Sequence, residues 1–169
     1  MDIEIILTGS FGVGKSSIYN RFIYDEFSNK YYGTLGVRVN VKQVVVNEVT
    51  VNFKLWDIAG EVKQDKVPEA YFQSPTVIIY VVDLNRDFAI KNVSTDLAHL
   101  QKIGEGKTIL MIGNKEDLMT KESIKSLLQS YPDLNFHLLT SAKTGENIDF
   151  LFNQIALQEI ERQLSEKNV

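Results

Sequence analysis

The chain has 169 residues, 44% hydrophobic and 24% charged, with 18 basic against 22 acidic side chains and a net charge of −4. A domain of this size buries roughly 70% of the surface its unfolded chain exposes, so composition excludes wholesale disorder and collagen-like repeats and argues against nucleic acid as the main ligand. There is no cysteine, which excludes disulfides, thiolate metal sites, a cysteine nucleophile and cysteine-borne lipid anchors for this chain.

The first seven residues carry Asp2 and Glu4. They lack the basic start of a secretory leader and the glycine that N-myristoylation needs. Ile3–Leu7 reads as a strand that runs into Gly9-Ser-Phe-Gly-Val-Gly-Lys-Ser16. That run matches G-x-x-x-x-G-K-[ST] in the place the motif requires, ahead of the helical spacing of Ile18, Phe22 and Ile23. Glycines let the backbone wrap a phosphate and aim N–H groups at it, and the helix adds its positive N-terminal end. The expected phosphate-binding set is Gly12, Val13, Gly14, Lys15, Ser16 and Ser17. Lys15 would reach the β and γ phosphates, and the Ser16 hydroxyl would ligate Mg²⁺.

Between Val37 and Leu55 apolar residues alternate with polar ones: Val37, Val39 and Val41, then Val49, Val51, Phe53 and Leu55. The break at Asn47-Glu48 makes this a hairpin with one wetter face. The second strand ends in Trp56-Asp57-Ile-Ala-Gly60. By itself D-x-x-G is common in ordinary turns. After a P-loop and a strand, Asp57 becomes a carboxylate for the Mg²⁺ shell and Gly60 an N–H for a γ-phosphate.

Thr76–Val82, Thr108–Ile112 and Phe136–Leu139 are continuous apolar runs, as a parallel sheet covered on both faces requires. Helical stripes lie between them: Ile90, Val93, Leu97 and Leu100; then Ile124, Leu127, Leu128 and Tyr131; then Ile148, Leu151, Phe152 and Ile155, extended by Ile160 and Leu164. Those stripes read as core. Strands alternating with helices give an α/β fold and one domain over residues 1–169.

Asn114-Lys-Glu-Asp117 follows the third parallel strand, and Thr140-Ser141-Ala142-Lys143 follows the last. In isolation Asp117 would be a simple helix cap. At a nucleotide site its carboxylate can accept from guanine N1–H and the N2 amine together, and adenine would leave it unpaired. The backbone N–H groups of Ser141, Ala142 and Lys143 could reach guanine O6. All four segments fall at the carboxyl ends of strands, where open α/β sheets bind ligands.

The set GSFGVGKS, WDIAGE, NKED and TSAKTGEN resembles the Ras superfamily of small GTPases over nearly the whole chain, with spacing most like the Ras and Rab branches. The resemblance implies a six-stranded, mostly parallel sheet with one antiparallel strand and about five helices on both faces. It implies GTP/GDP and Mg²⁺ as ligands and GTP hydrolysis as the reaction. Thr34 matches the first-switch threonine that ligates Mg²⁺ and contacts the γ-phosphate. Phe27 matches an aromatic packed on the guanine, and Lys115 would lay its stem over the other face. The resemblance makes Lys15, Thr34, Gly60 and residue 61 the expected catalytic set, with residues 59–72 as second switch. Effectors, an exchange factor and an activating protein would meet the switches. Val37–Val41, Tyr31, Trp56 and Tyr71 would lie near that surface or in the core. The expected state is a cytoplasmic monomer that binds no nucleic acid.

Two positions depart from the family. Glu61 stands where glutamine usually orients the attacking water. A carboxylate can accept from that water but cannot donate to the phosphate. Gln64 is a candidate stand-in. Phe11 replaces a small P-loop residue and should hinder an arginine supplied by an activating protein, its ring pointing to solvent or onto the second switch. Arg38 is the nearest arginine for a finger in cis. These departures keep a second reading open, a pseudo-enzyme that holds nucleotide as a scaffold. A P-loop kinase or ATPase is a third, disfavoured by Asp117. The end, Gln-Leu-Ser-Glu-Lys-Asn-Val169, lacks the prenylated cysteine of such relatives, so no direct lipid anchor is expected and any membrane contact would run through a partner.

Overall fold

The computed structural model describes residues 1–30, 33–60, 64–132 and 134–167. Its sheet has the order β2-β3-β1-β4-β5-β6. The strands are β1 (Asp2–Thr8), β2 (Val37–Val46), β3 (Val49–Ile58), β4 (Val77–Asp83), β5 (Thr108–Asn114) and β6 (Leu138–Leu139). The β2–β3 pair is antiparallel and all other neighbours are parallel. Five α-helices accompany it among the described residues: α1 (Lys15–Tyr24), α2 (Asp87–Lys91), α3 (Val93–Ile103), α4 (Lys121–Ser130) and α5 (Ile148–Lys167).

The pairing register sorts side chains between the two faces, because successive residues of a strand point to opposite sides. Phe53 lies opposite Ile3, and Ile5 opposite Val77, so these four share one face. There Phe22 of α1 stacks on Phe152 of α5, centroids 3.5 Å apart, with Phe53 edge-on to both. Tyr80, three residues beyond Val77, falls on the other face and donates its hydroxyl to Asp96 of α3 at 2.6 Å. All seven residues of β4 are buried, as its continuous apolar run requires.

The hairpin turns at Asn47 and Glu48, both with positive φ (48° and 65°). That is the primed turn whose twist matches a two-residue hairpin. The alternation in β2 has an unexpected sense. Val39, Val41 and Val45 are exposed, whereas Arg38 lies over the Tyr19 ring, Asn40 donates to the Tyr24 hydroxyl, and Lys42 donates to the Phe22 carbonyl. From Arg38 to Lys42 the face of this edge strand that meets α1 is thus polar and cationic and Val39 and Val41 look outward, whereas Val44 and Val46 further along pack on the core.

Three further differences from the sequence pattern have local causes. The first apolar stripe breaks at Asn92, leaving Ile90 in short α2 and Val93, Leu97 and Leu100 in α3. The run Phe136–Leu139 pairs with β5 only at Leu138 and Leu139, at the edge of the sheet among the described residues. Leu128 and Leu164 are exposed, so α4 and the last turns of α5 carry apolar residues outside the core.

Candidate functional site

The ends of β1, β3, β5 and β6 open into one cavity of about 570 Å³, within the size range of small-molecule sites. Its walls carry the P-loop residues Gly12, Gly14, Lys15, Ser16 and Ser17, the first-switch Thr34, and Gly60. They also carry Phe27, Asn114, Lys115, Asp117, Ala142 and Lys143. Segments over a hundred residues apart in sequence therefore meet at one sheet edge.

Glycine is demanded by the close approach of backbone. Gly14 precedes α1 at φ 104°, and a Cβ there would collide with the Asn114 amide. At Gly60 a Cβ would stand 2.6 Å from Lys15 Nζ and 2.8 Å from Phe11 Cα. The second-switch backbone thus already lies against the P-loop. Lys15 is 5% exposed, and its Nζ donates to the carbonyls of Gly9 and Ser10 at 2.8 and 3.0 Å.

The oxygen donors expected for a divalent cation converge. Ser16 Oγ and Thr34 Oγ1 are 2.8 Å apart, and Thr34 Oγ1 is 3.5 Å from Asp57 Oδ2. Asp57 is fully buried, and its Oδ1 has no hydrogen-bond partner. Hard oxygen ligands with few protein contacts suit Mg²⁺, so the residues present fit that ion. Asp57 Oδ2 also accepts from Arg38, at 3.1 Å from Nε and 2.5 Å from the terminal nitrogen.

At the other end, Asn114 acts as a brace. Its Nδ2 donates to the Val13 carbonyl at 3.0 Å, and its Oδ1 accepts the Ala142 N–H at 3.2 Å. Lys115 sits at φ 66° and donates to the Gly12 carbonyl and to Asp83 Oδ2, at 2.9 and 2.6 Å. Asp117 accepts from Ser141 Oγ at 2.6 Å and lies 3.7 Å from Lys143 Nζ. The Ser141 and Ala142 amides expected to reach a guanine O6 are already given to the Glu146 carbonyl and to Asn114.

Glu61 lies outside the described residues. Gln64 is no stand-in for it. It is fully buried, its Oε1 accepts from the Thr8 hydroxyl, its N–H donates to Asp96 Oδ1 at 3.3 Å, and its Nε2 has no partner. The Phe11 ring is 52% exposed at the cavity rim. Asp83 and Arg86 were not singled out by any motif, yet both brace the P-loop. Arg86 donates to the Phe11 carbonyl at 2.8 Å and lies 3.6 Å from Asp83. The signal was available for Asp83, which ends a buried strand at the binding edge as Asp57 does.

A phosphate loop, a metal-type oxygen cluster and a base-end carboxylate at one sheet edge define a P-loop nucleotide-binding domain. The Ras family model matches residues 4–161, and the chain belongs to that family of GTP-binding small GTPases. It is 29% identical to "Ras-related protein RABA1h" of Arabidopsis thaliana over 97% of this chain and 77% of the relative. It is also 29% identical to "Ras-related protein RABF2b" of the same plant, over 92% of this chain and 80% of the relative. No helix among the described residues is long and apolar enough to cross a membrane.

Proposed function

We propose that this chain binds GTP and GDP with Mg²⁺ in the cavity at the sheet edge and hydrolyses GTP slowly. The observation that carries this reading is the convergence of Lys15, Ser16, Thr34 and Asp117 on one cavity of about 570 Å³, with the buried Asp57 carboxylate 3.5 Å behind the Thr34 hydroxyl. Lys15 and the loop N–H groups neutralise and orient the β and γ phosphates. Ser16, Thr34 and Asp57 hold the metal, which when bound neutralises charge on the phosphate oxygens. Asp117 accepts the paired N–H donors of guanine, with Phe27 and the Lys115 stem on the two faces of the base. Thr34 and Gly60 sense the γ-phosphate, so its loss releases both switches.

Slow turnover follows from what surrounds the γ-phosphate position. The Gln64 amide is turned into the core, Phe11 projects at the rim, and residue 61 is a glutamate. A carboxylate there can take a hydrogen bond from water but adds negative charge beside a phosphoryl group. The exposed Leu35, Val39 and Val41 form the surface for effectors and regulators beside the first switch. The chain works as a cytoplasmic monomer without nucleic acid.

Two measurements test this. GDP should displace a fluorescent guanine nucleotide where ADP does not, and Asp117→Asn should move preference toward xanthine. Equal competition by ADP would remove the guanine reading. Single-turnover hydrolysis of bound GTP, for the wild type, Phe11→Gly and Glu61→Gln, separates a slow enzyme from a scaffold. The rim position of Phe11 favours that scaffold as the second reading, and complete retention of GTP would establish it.

A further inference from the structure

Asp57 closes β3 at the metal end of the cavity, and the register of the hairpin puts Arg38 directly opposite it. Directly opposed residues of an antiparallel pair share a face with Cβ atoms ~5 Å apart, so this contact is written into the strand pairing. The guanidinium makes two hydrogen bonds to the same oxygen, Oδ2, at 3.1 and 2.5 Å. It also lies 4.8 Å from the centroid of the Tyr19 ring, which holds it over the carboxylate. Arg38 itself lines the nucleotide cavity. The other oxygen, Oδ1, is buried and unpartnered.

We propose that Arg38 is a built-in counter-ion that competes with divalent metal for Asp57, and so lowers the dependence of nucleotide retention on Mg²⁺. The inference rests on the nucleotide-binding reading above. A fully buried carboxylate beside the phosphate site repels phosphate unless a cation covers it. Lys15 is directed to the carbonyls of Gly9 and Ser10, and Arg38 is the cation on Asp57. When metal arrives, Asp57 must share or give up its bonds to Arg38 before Oδ2 becomes a ligand. When metal leaves, the guanidinium returns and keeps Asp57 neutralised. Because Arg38 is the second residue of β2, four residues after Thr34, the exchange also links metal loading to the first switch.

Arg38 is 43% exposed, so water screens part of the interaction. An effect of about tenfold in metal concentration, or about 1.4 kcal/mol, is therefore expected. The test uses the full chain loaded with methylanthraniloyl-GDP, with release rates read across buffered free Mg²⁺. In Arg38→Gln the half-point for Mg²⁺ protection should fall about tenfold, while release at the lowest Mg²⁺ becomes faster than in the wild type. Arg38→Lys, which keeps the charge and loses the fork, should fall between them. A half-point in Arg38→Gln equal to or above the wild-type value overturns the proposal, as does a lysine variant that matches glutamine. If wild-type chain binds no labelled GDP at any Mg²⁺ concentration, the nucleotide-binding reading itself falls, and that outcome is distinct from an unshifted half-point.

Discussion

Replacing Asp96 with alanine should destabilise the chain through two orphaned donors. Asp96 is 3% exposed and takes the Tyr80 hydroxyl on one oxygen and the Gln64 N–H on the other. Burial, and then the Asp96 contact, push the Tyr80 phenol well above its ordinary value, so the group stays a neutral donor. A buried polar group left without its partner costs about 1–3 kcal/mol. The 2.6 Å phenol bond belongs high in that range and the 3.3 Å amide bond low, which gives ~3 kcal/mol for the pair. At ~2–4 °C per kcal/mol for a chain of this size, thermal unfolding should fall by ~6–12 °C. Adding Tyr80→Phe should recover ~1–2 kcal/mol, because the orphaned hydroxyl disappears with its lost partner. Chemical unfolding of wild type, both singles and the double would measure the coupling, and hydrogen exchange at Gln64 would show whether the second switch loosens. A loss below ~1 kcal/mol, or a double variant no more stable than Asp96→Ala, would refute the reasoning.

Gln64→Ala should lower thermal stability by ~2 kcal/mol through lost packing and an orphaned Thr8 hydroxyl, yet leave single-turnover GTP hydrolysis within about threefold. A tenfold loss of turnover with unchanged stability would return Gln64 to the chemistry. Gly60→Ala should speed release of labelled GDP several-fold, since its Cβ meets Lys15 Nζ and backbone at Phe11. Phe11→Gly should not rescue it, because the clash is with Cα, and rescue would show the ring to be the obstacle. At Glu4, burial raises the carboxyl, but hydrogen bonds from Ser74 and Lys54 outweigh it and hold the group below its usual value. A lowered folded value means stability present above the unfolded value of ~4.3 and lost as pH falls through the folded one. Glu4→Gln should therefore be less stable than wild type at pH 7, and the gap should close in acid. A gap that widens below pH ~4 would contradict the sign.

The sheet and the phosphate loop were legible because each rests on local chemistry. A continuous apolar run of about five to seven residues bounded by turn residues fits a strand covered on both sides, and a glycine-rich turn between strand and helix has few uses. The base end was legible only jointly, since Asp117 alone reads as a cap. What stayed hidden depended on register. Val39 and Val41 suggest an inward face by alternation, but the pairing puts them on the same side as Lys54 and Trp56, away from α1. Arg38 could be noticed as the nearest arginine, not as the residue opposite Asp57. Gln64 stands three residues after Glu61, and one side-chain direction, inward to Thr8, removes it from the reaction.

The two polar contacts hidden by sequence have a common consequence. Arg38 ties the start of β2 to the Asp57 carboxylate, and Gln64 ties the second switch to Thr8 of β1 and Asp96 of α3. Each restrains the segment just beyond a residue proposed above to sense the γ-phosphate, Thr34 in one case and Gly60 in the other. A sensor restrained by protein contacts has less order to gain from a phosphate, and a ligand shifts an equilibrium only by its differential affinity for the two states. The switch amplitude is therefore set by what Mg²⁺ and γ-phosphate offer Thr34 and Gly60 beyond what Arg38 and Asp96 already supply. Under the proposed competition, metal loading loosens the first restraint directly, because metal and Arg38 draw on the same Asp57 carboxylate. The second has no ligand-facing atom and persists in either nucleotide state. The larger rearrangement is accordingly expected at the first switch, with Gln64 held in place at the second.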